Sequence, residues 1–409
     1  MVSAAFVAPF LADTTNNFVL AAARTPGVRL GLITTASLDQ VPGEIRQALA
    51  GHYQVRDGLD AHQIADAVRG LTPQIGPVER LIAILEQLQV PLGQVRDALG
   101  IPGMSESVAL NVRDKSRMKD VLRSTGLPCA RHQLVHRVQE ALAFRDVVGF
   151  PIVAKPPDGA GAQATFRLDT LADFDNWLTM AVADPSQVWL LEEFLTGREH
   201  SFDAATLHGQ TLWASISDYL PPPLEVVRNP WMQWTVVLPQ DISTPQYAEI
   251  HRVGPQAIAA LGVQDAFSHM EWFARPDGSV AVSEIGARPP GAQIGSMIGY
   301  AHDVDFFDLW SNLVLREEFH RPDRVYACGT AYLRGMGRGR VRAVHGIDQL
   351  QRELGELVVR AQLPQPGQPA ATSYEGEGFV TVRHRDTGVV QAALERIVQV
   401  ARVVLVESD

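Results

Sequence analysis

Short apolar runs alternate with longer amphipathic stretches through the N-terminal part of the chain. Runs at 5–9 and 28–34 (VRLGLIT) predict buried strands, 13–24 and 43–50 predict helices, and 52–55 a weaker strand. That alternation predicts a parallel sheet with helices on both faces. The stretch 77–88 predicts a long helix, and the Gly-Pro punctuation of LGIPGMSESV after it marks a hinge between lobes. From 129 to 194 the order reads strand, helix, strand, Gly-rich loop, strand, helix, strand. Pro221, Pro222 and Pro223 then open an irregular stretch reaching Leu238. The aromatics Tyr219, Trp231 and Trp234 either pack that stretch onto the core or line a pocket, and packing is the plainer expectation. Helices are predicted at 303–319 and, amphipathic, at 388–401, within a C-terminal part that mixes strands and helices.

One hairpin stands out. In HMEWFARPDGSVAVSEIGARPPG, residues 269–291, two β-prone runs flank the turn signal Pro276-Asp277-Gly278. A two-residue loop puts Glu271 directly opposite Glu284, and a three-residue loop slips the register by one. Both registers remain open at this stage. In either, two carboxylates share a face within about one pleat, where like charges destabilise.

Composition narrows what those acids can serve. A chain of 409 residues is too long for one ordinary core and implies several lobes. The net charge of −11 argues against binding that works by neutralising phosphates of a nucleic acid. Cys129 and Cys328 lie far apart without metal-ligand spacing, which reads as buried thiols in a reducing compartment. The N-terminal stretch is apolar but lacks a basic region, so it reads as a first strand rather than a signal peptide. No apolar run reaches the roughly 18 residues of a membrane span. A cytoplasmic protein without membrane or nucleic-acid partners is expected.

Four further segments carry candidate chemistry. In FPIVAKPPDGAGAQATFRL a strand ends in Lys155 and a loop containing Gly159, Gly161 and Ala162 follows. Glycine lets backbone N–H groups approach phosphate oxygens while a lysine offsets their charge. The order is not that of a P-loop, because the lysine precedes the glycines. In WLLEEFLTGREHSFDA an apolar strand ends in Glu192-Glu193 and resumes at Glu199. A carboxylate at a buried strand end can accept from an exocyclic amine, although a solvated strand end explains the same charges. In NVRDKSRMKDVLRSTG, Lys115, Arg117 and Lys119 start a helix that Asn111 or Asp114 can cap. Arg288 leaves the hairpin just before two prolines, where an arginine suits bidentate capture of an anion. His132 and His136 have no third ligand, and RGMGRGRVR is one short basic turn in an acidic chain.

In this order and spacing the segments resemble the ATP-grasp superfamily of carboxylate–amine ligases, and most of all those joining amino acids into dipeptides. The resemblance covers 79–312, with a C-terminal part similar to the closing domain of amino-acid ligases. It implies an N-terminal doubly wound parallel-sheet domain (1–112), an ATP-grasp domain (113–318) with a small lid subdomain (125–192), and an α+β C-terminal domain (319–409). Lys115 and Lys155 would then reach the nucleotide, Glu192 the adenine amine, and Glu193, Phe194 and Leu195 the adenine edge. Glu199 would hold the ribose, Gly159, Gly161 and Ala162 the phosphates, and Glu271 and Glu284 one or two Mg2+ ions, with Mn2+ a permitted substitute. Lys155 and Arg288 would carry the catalytic charge stabilisation, and the loop 158–163 would close as a lid. Many members place an Asn two residues after the second glutamate as a further metal ligand, whereas this chain has Gly286. The implied reaction forms an acyl phosphate from ATP and a carboxylate, then an amide with an amine, releasing ADP and phosphate. Its partners are small carboxylates and amines, amino acids first, with a homodimer left open. Trp231 and Trp234 become candidate substrate-pocket residues. A purine-biosynthesis ligase and a non-catalytic ATP-binding regulator are the alternatives.

Overall fold

The computed structural model describes residues 1–157, 165–184, 187–229, 232–371 and 373–407. Gly159, Gly161, Ala162 and Trp231 lie outside the described residues. The N-terminal part is a parallel sheet whose strands run Gly51–Gln54, Val28–Thr34, Val2–Val7 and Arg80–Ile82 across it. Alternation along the first strand builds both faces. Ala4 and Phe6 pack with Phe18, Val19 and Ile45 of the helices Asp13–Arg24 and Gly43–Ala48. Ala5 and Val7 pack instead with Ile64, Leu71, Leu92 and Val95 of Ala61–Ile75 and Gln89–Leu99. This is the doubly wound arrangement.

The helix expected at 77–88 is absent. Arg80–Ile82 is the fourth strand, and only one tight turn, Glu86–Leu88, is helical. A short apolar run buried on both faces has no periodicity to separate strand from helix, and the sheet edge claimed it. The turn that follows carries Glu86 towards the middle of the molecule.

The middle of the chain forms two antiparallel layers. Strands His132–Val135, Trp189–Glu193, Ile152–Lys155 and Phe166–Leu168 make a small sheet, in that spatial order. The helices Val138–Val148 and Leu171–Ala183 pack against it through Phe144, Phe174 and Trp177. Facing it is an eight-stranded sheet ordered Val280–Gly286, Ala266–Ala274, Arg198–Leu207, Gln210–Leu220, Trp234–Leu238, Ala327–Leu333, Gly378–His384 and Val358–Gln362. Its last three strands come from the C-terminal part, so the ladder runs unbroken from one lobe into the next. Helix Thr387–Val400 covers those strands through Val390, Leu394 and Ile397. The proline-rich stretch is more ordered than expected: Pro223 opens the short helix Pro223–Arg228, and Trp234 starts a sheet strand and stacks on Tyr332 at 4.6 Å between ring centroids. No helix among the described residues is long and apolar enough to cross a membrane.

Candidate active site

The hairpin uses both of the registers left open by the sequence. Its loop has three residues: Arg275 N–H donates to Ser279 O (2.9 Å) and Gly278 N–H to Arg275 O (3.0 Å), with Gly278 at φ 83°. Ala274, Phe273 and Trp272 therefore pair with Val280, Ala281 and Val282, the slipped register. A bulge then takes up Ser283, and Glu271 meets Glu284 directly. An extra residue in one strand bends it locally and re-aims the side chains beyond. Here it returns both carboxylates to one cavity.

Three cations lie against these and neighbouring acids. Helix Lys115–Ser124 starts at Asp114, whose carboxylate accepts from the N–H groups of Ser116 (2.9 Å) and Arg117 (3.0 Å). Its first residue sends Lys115 Nζ to within 3.1 Å of Glu284 Oε2. One turn later, on the same face, Lys119 is fully buried, with Nζ 2.9 Å from Glu192 Oε1 and donating to the carbonyl of the bulged Ser283 at 2.7 Å. Lys155 Nζ holds the other oxygen, Glu192 Oε2, at 3.0 Å. Burial works against ionisation of Glu192, but the two lysines outweigh it and bring the carboxyl down to about 2. Burial also pulls Lys119 below the usual lysine range, while Lys155 rises because Glu192 and Glu284 overcome the same penalty. Lys119 was no more than part of a basic helix by sequence. Its i, i+4 spacing from Lys115 was the available signal.

Lys115, Lys155, Glu192, Glu193, Phe194, Leu195, Glu199, Glu271, Glu284 and Arg288 all line one cavity of about 550 Å³. That volume is in the range of small-ligand and cofactor sites. Within it Glu193 is turned to Arg131, with Arg131 Nε 2.6 Å from Glu193 Oε2. The ring of Phe194 lies under the guanidinium of Arg167, 4.1 Å from its centroid. Burial, then Glu271 and Glu284, push the Glu199 carboxyl well above its ordinary value. Arg288 Nη2 contacts Glu86 Oε2 at 3.1 Å, and Arg113 shares the same carboxylate at 3.4 Å. His269 Nδ1 is 2.6 Å from Asp203, and its Nε2 is 3.9 Å from Glu271. Sequence reasoning missed Glu86, Tyr374 and Glu375, which come to this cavity from opposite ends of the chain.

Do the residues present fit a divalent cation? Burial and the facing Glu284 raise the Glu271 carboxyl, while Lys115 and Lys155 hold Glu284 below its ordinary range despite its burial. Glu284 is thereby held as a carboxylate, and Glu271 is the acid whose charge an added cation would most favour. Among the described residues no group of three or more His, Cys, Asp or Glu is arranged to hold a metal. Gly286 pairs with His269 across the hairpin, and a Cβ there would meet Arg288 Cγ at 3.5 Å, an ordinary contact, so the position adjoins the arginine. Magnesium in nucleotide sites is commonly held by one or two carboxylates, with phosphate oxygens and water completing the octahedron. Two facing glutamates fit that pattern.

No family model matches the chain. In sequence it is 26% identical over 269 residues to the L-arginine-specific L-amino acid ligase of Bacillus subtilis, a match spanning 64% of this chain and 64% of that protein. The chain thus matches less than two thirds of that relative's length. In structure it is similar to an L-amino acid ligase from Bacillus licheniformis, with a TM-score of 0.76 and 17% identity over 100% of this chain and 99% of the other. The biotin carboxylase domain of the Hydrogenobacter thermophilus 2-oxoglutarate carboxylase, solved with MgADP and bicarbonate, aligns at a TM-score of 0.69 and 15% identity over 98% and 90% of the two chains. The fold these chains share is the ATP-grasp fold.

Proposed function

We propose, from an ATP-grasp fold and a sequence relationship to an L-amino acid ligase, that this chain is an ADP-forming carboxylate–amine ligase acting on amino acids in the cytoplasm. The observation that carries the reading is the register: a bulge brings Glu271 and Glu284 face to face in the cavity that also holds Lys115, Lys155 and Arg288. Paired acids destabilise a sheet unless a cation lies between them. In this reading Glu271 and Glu284 hold the magnesium that accompanies ATP, and the bound metal supplies charge neutralisation at the phosphates.

The chain's own residues do the rest. Lys155 gives up part of its contact with Glu192 to meet the phosphates, and Lys119 keeps Glu192 ionised so that it accepts from the adenine amine. Glu199 takes the ribose hydroxyls. A substrate carboxylate oxygen attacks the γ-phosphorus, the bond to the ADP oxygen breaks, and an acyl phosphate forms. Arg288 leaves Glu86 and places its planar fork on the charge that develops there. An amine nitrogen then attacks the acyl carbon, the carbon–oxygen bond to phosphate breaks, and the nitrogen loses a proton to give the amide. Protein catalysis of such steps is mainly positioning and electrostatics.

The test is ADP and phosphate release from purified protein with Mg-ATP and pairs of amino acids, with the product identified by mass spectrometry. Release that requires added amino acid, with a dipeptide mass, supports the reading. Tight ATP binding without amino-acid-dependent release makes the chain a nucleotide-binding regulator, and release driven only by a purine precursor assigns it to the other branch.

A further inference from the structure

Besides the charged groups, Phe10, Phe18, Leu224, Trp234 and Ile294 line the cavity, and the C-terminal part adds a carboxylate, Glu375. Its near neighbour Glu377 has a different job. Glu377 is buried and accepts the N–H groups of Gly335 (2.7 Å) and Ala371 (2.8 Å), which pins the loop. Gly376 between them sits at φ 66°, where a Cβ would come within 2.6 Å of Leu333 O, so a residue with a side chain does not fit there. Glu375 is thereby left facing the cavity. Among the described residues its carboxylate has no hydrogen-bond or ion-pair partner; only its backbone N–H is bonded, to Ser373 Oγ at 3.3 Å.

Burial raises the Glu375 carboxyl above its ordinary range. Tyr374, next to it in the chain, also lines the cavity and packs edge-on against Trp234, 4.6 Å between ring centroids. A half-buried carboxylate at a cavity wall, without a partner among the described residues, is open to a ligand's cation.

We propose that Glu375 is a specificity residue that binds a cationic side chain, guanidinium or ammonium, of the amino acid whose carboxylate is activated. The inference rests on the ligase reading for the placement of that carboxylate beside Arg288. An α-ammonium stays beside its own carboxylate, whereas a side-chain cation several bonds away can reach another part of the cavity wall. Apolar walls suit the methylene stem, and a carboxylate suits the planar fork of a guanidinium.

Arginine and citrulline have nearly the same shape and differ in charge. Steady-state ADP release with a common amine should favour arginine over citrulline by roughly 10- to 100-fold in kcat/KM, the value of a hydrogen-bonded charge in a partly dry site. In Glu375→Gln that ratio should collapse towards one, and Glu375→Asp should retain part of it. Calorimetric binding of arginine and citrulline with a non-hydrolysable ATP analogue gives the same comparison without turnover. A wild-type ratio near one, or a ratio that survives Glu375→Gln, overturns the proposal. If no amino acid drives ADP release, the ligase reading falls, while the binding comparison still decides whether Glu375 reads a cation.

Discussion

Replacing Lys119 by methionine keeps the length of a fully buried side chain and removes its charge. Lys119 Nζ is 2.9 Å from Glu192 Oε1 and 2.7 Å from Ser283 O, so one change strips an ion pair and leaves a buried carbonyl without its donor. At 2.9 Å and an effective dielectric of about 20, the gross attraction to Glu192 is about 6 kcal/mol, much of which desolvation offsets. Removing one partner of a buried pair typically costs about 3–5 kcal/mol, and an unsatisfied carbonyl about 1–3 kcal/mol. These overlap, and we expect Lys119→Met to lose about 3–5 kcal/mol of stability. Lys119→Met/Glu192→Gln should recover a large part of it, with a coupling of about 2 kcal/mol in the double-mutant cycle. Urea melts followed by tryptophan fluorescence measure all four proteins, because Trp272 lies fully buried next to Glu271. ATP affinity should also fall, by about tenfold or more, since Lys155 would be the one ion-pair partner left to Glu192 among the described residues and would have to be shared with phosphate. Coupling below about 0.5 kcal/mol would refute the claim that Lys119 and Glu192 act as a unit.

Glu284→Ala should abolish ADP release yet weaken nucleotide binding by less than about tenfold, because the adenine contacts lie on another strand; equilibrium dialysis with labelled ATP measures the second quantity, and normal turnover would remove the metal assignment. Arg288→Lys keeps charge but loses the fork, so kcat should fall by roughly 30- to 1,000-fold with a smaller rise in KM for ATP; an unchanged kcat would confine Arg288 to its pairing with Glu86. Glu192 titrates at about 2 in the fold against an ordinary 4.5. Its depressed value means that the stability it contributes is present above pH 4.5 and is lost as pH falls towards 2, about 3 kcal/mol in all. Stability curves of wild type and Glu192→Gln should therefore converge on acidification, and parallel curves would contradict the assignment.

What was legible in the chain was what is local in it. Strand ends, a proline–glycine turn and a capped helix announce themselves within a dozen residues, and they brought Lys155, Glu192, Glu199, Lys115 and the hairpin acids to attention. The parallel sheet followed from the alternation of short apolar runs with amphipathic ones. Lys119 was harder, because a charged residue on a basic helix looks solvated until Glu192 and Ser283 arrive from other strands. Glu86 and Glu375 were out of reach for the same reason. Each sits on a turn without a motif, and only the packing of the lobes places it in the cavity. The bulge at Ser283 has no sequence mark either, and the loop alone would have implied the slipped register. The strand Arg80–Ile82 passed for a helix because burial on both faces removes the alternation that identifies a strand.

The continuous eight-stranded sheet sets rules for recombining this chain with its relatives. Trp234–Leu238 pairs along its length with Ala327–Leu333, which pairs in turn with Gly378–His384, the strand that begins just after Glu377. A crossover placed between the second and third lobes would cut the ladder through its interior, and each parent's strand would have to match a foreign neighbour in register, twist and side-chain volume. Loop 373–377 runs directly into the strand Gly378–His384 and is tied to the ladder by Glu377 N–H donating to Leu333 O, so a chimera that exchanges only residues 373–376 leaves that frame in place. Diversity in substrate choice is therefore cheapest to acquire by rewriting a few positions on a fixed rim, and shuffling whole lobes should yield mostly insoluble progeny.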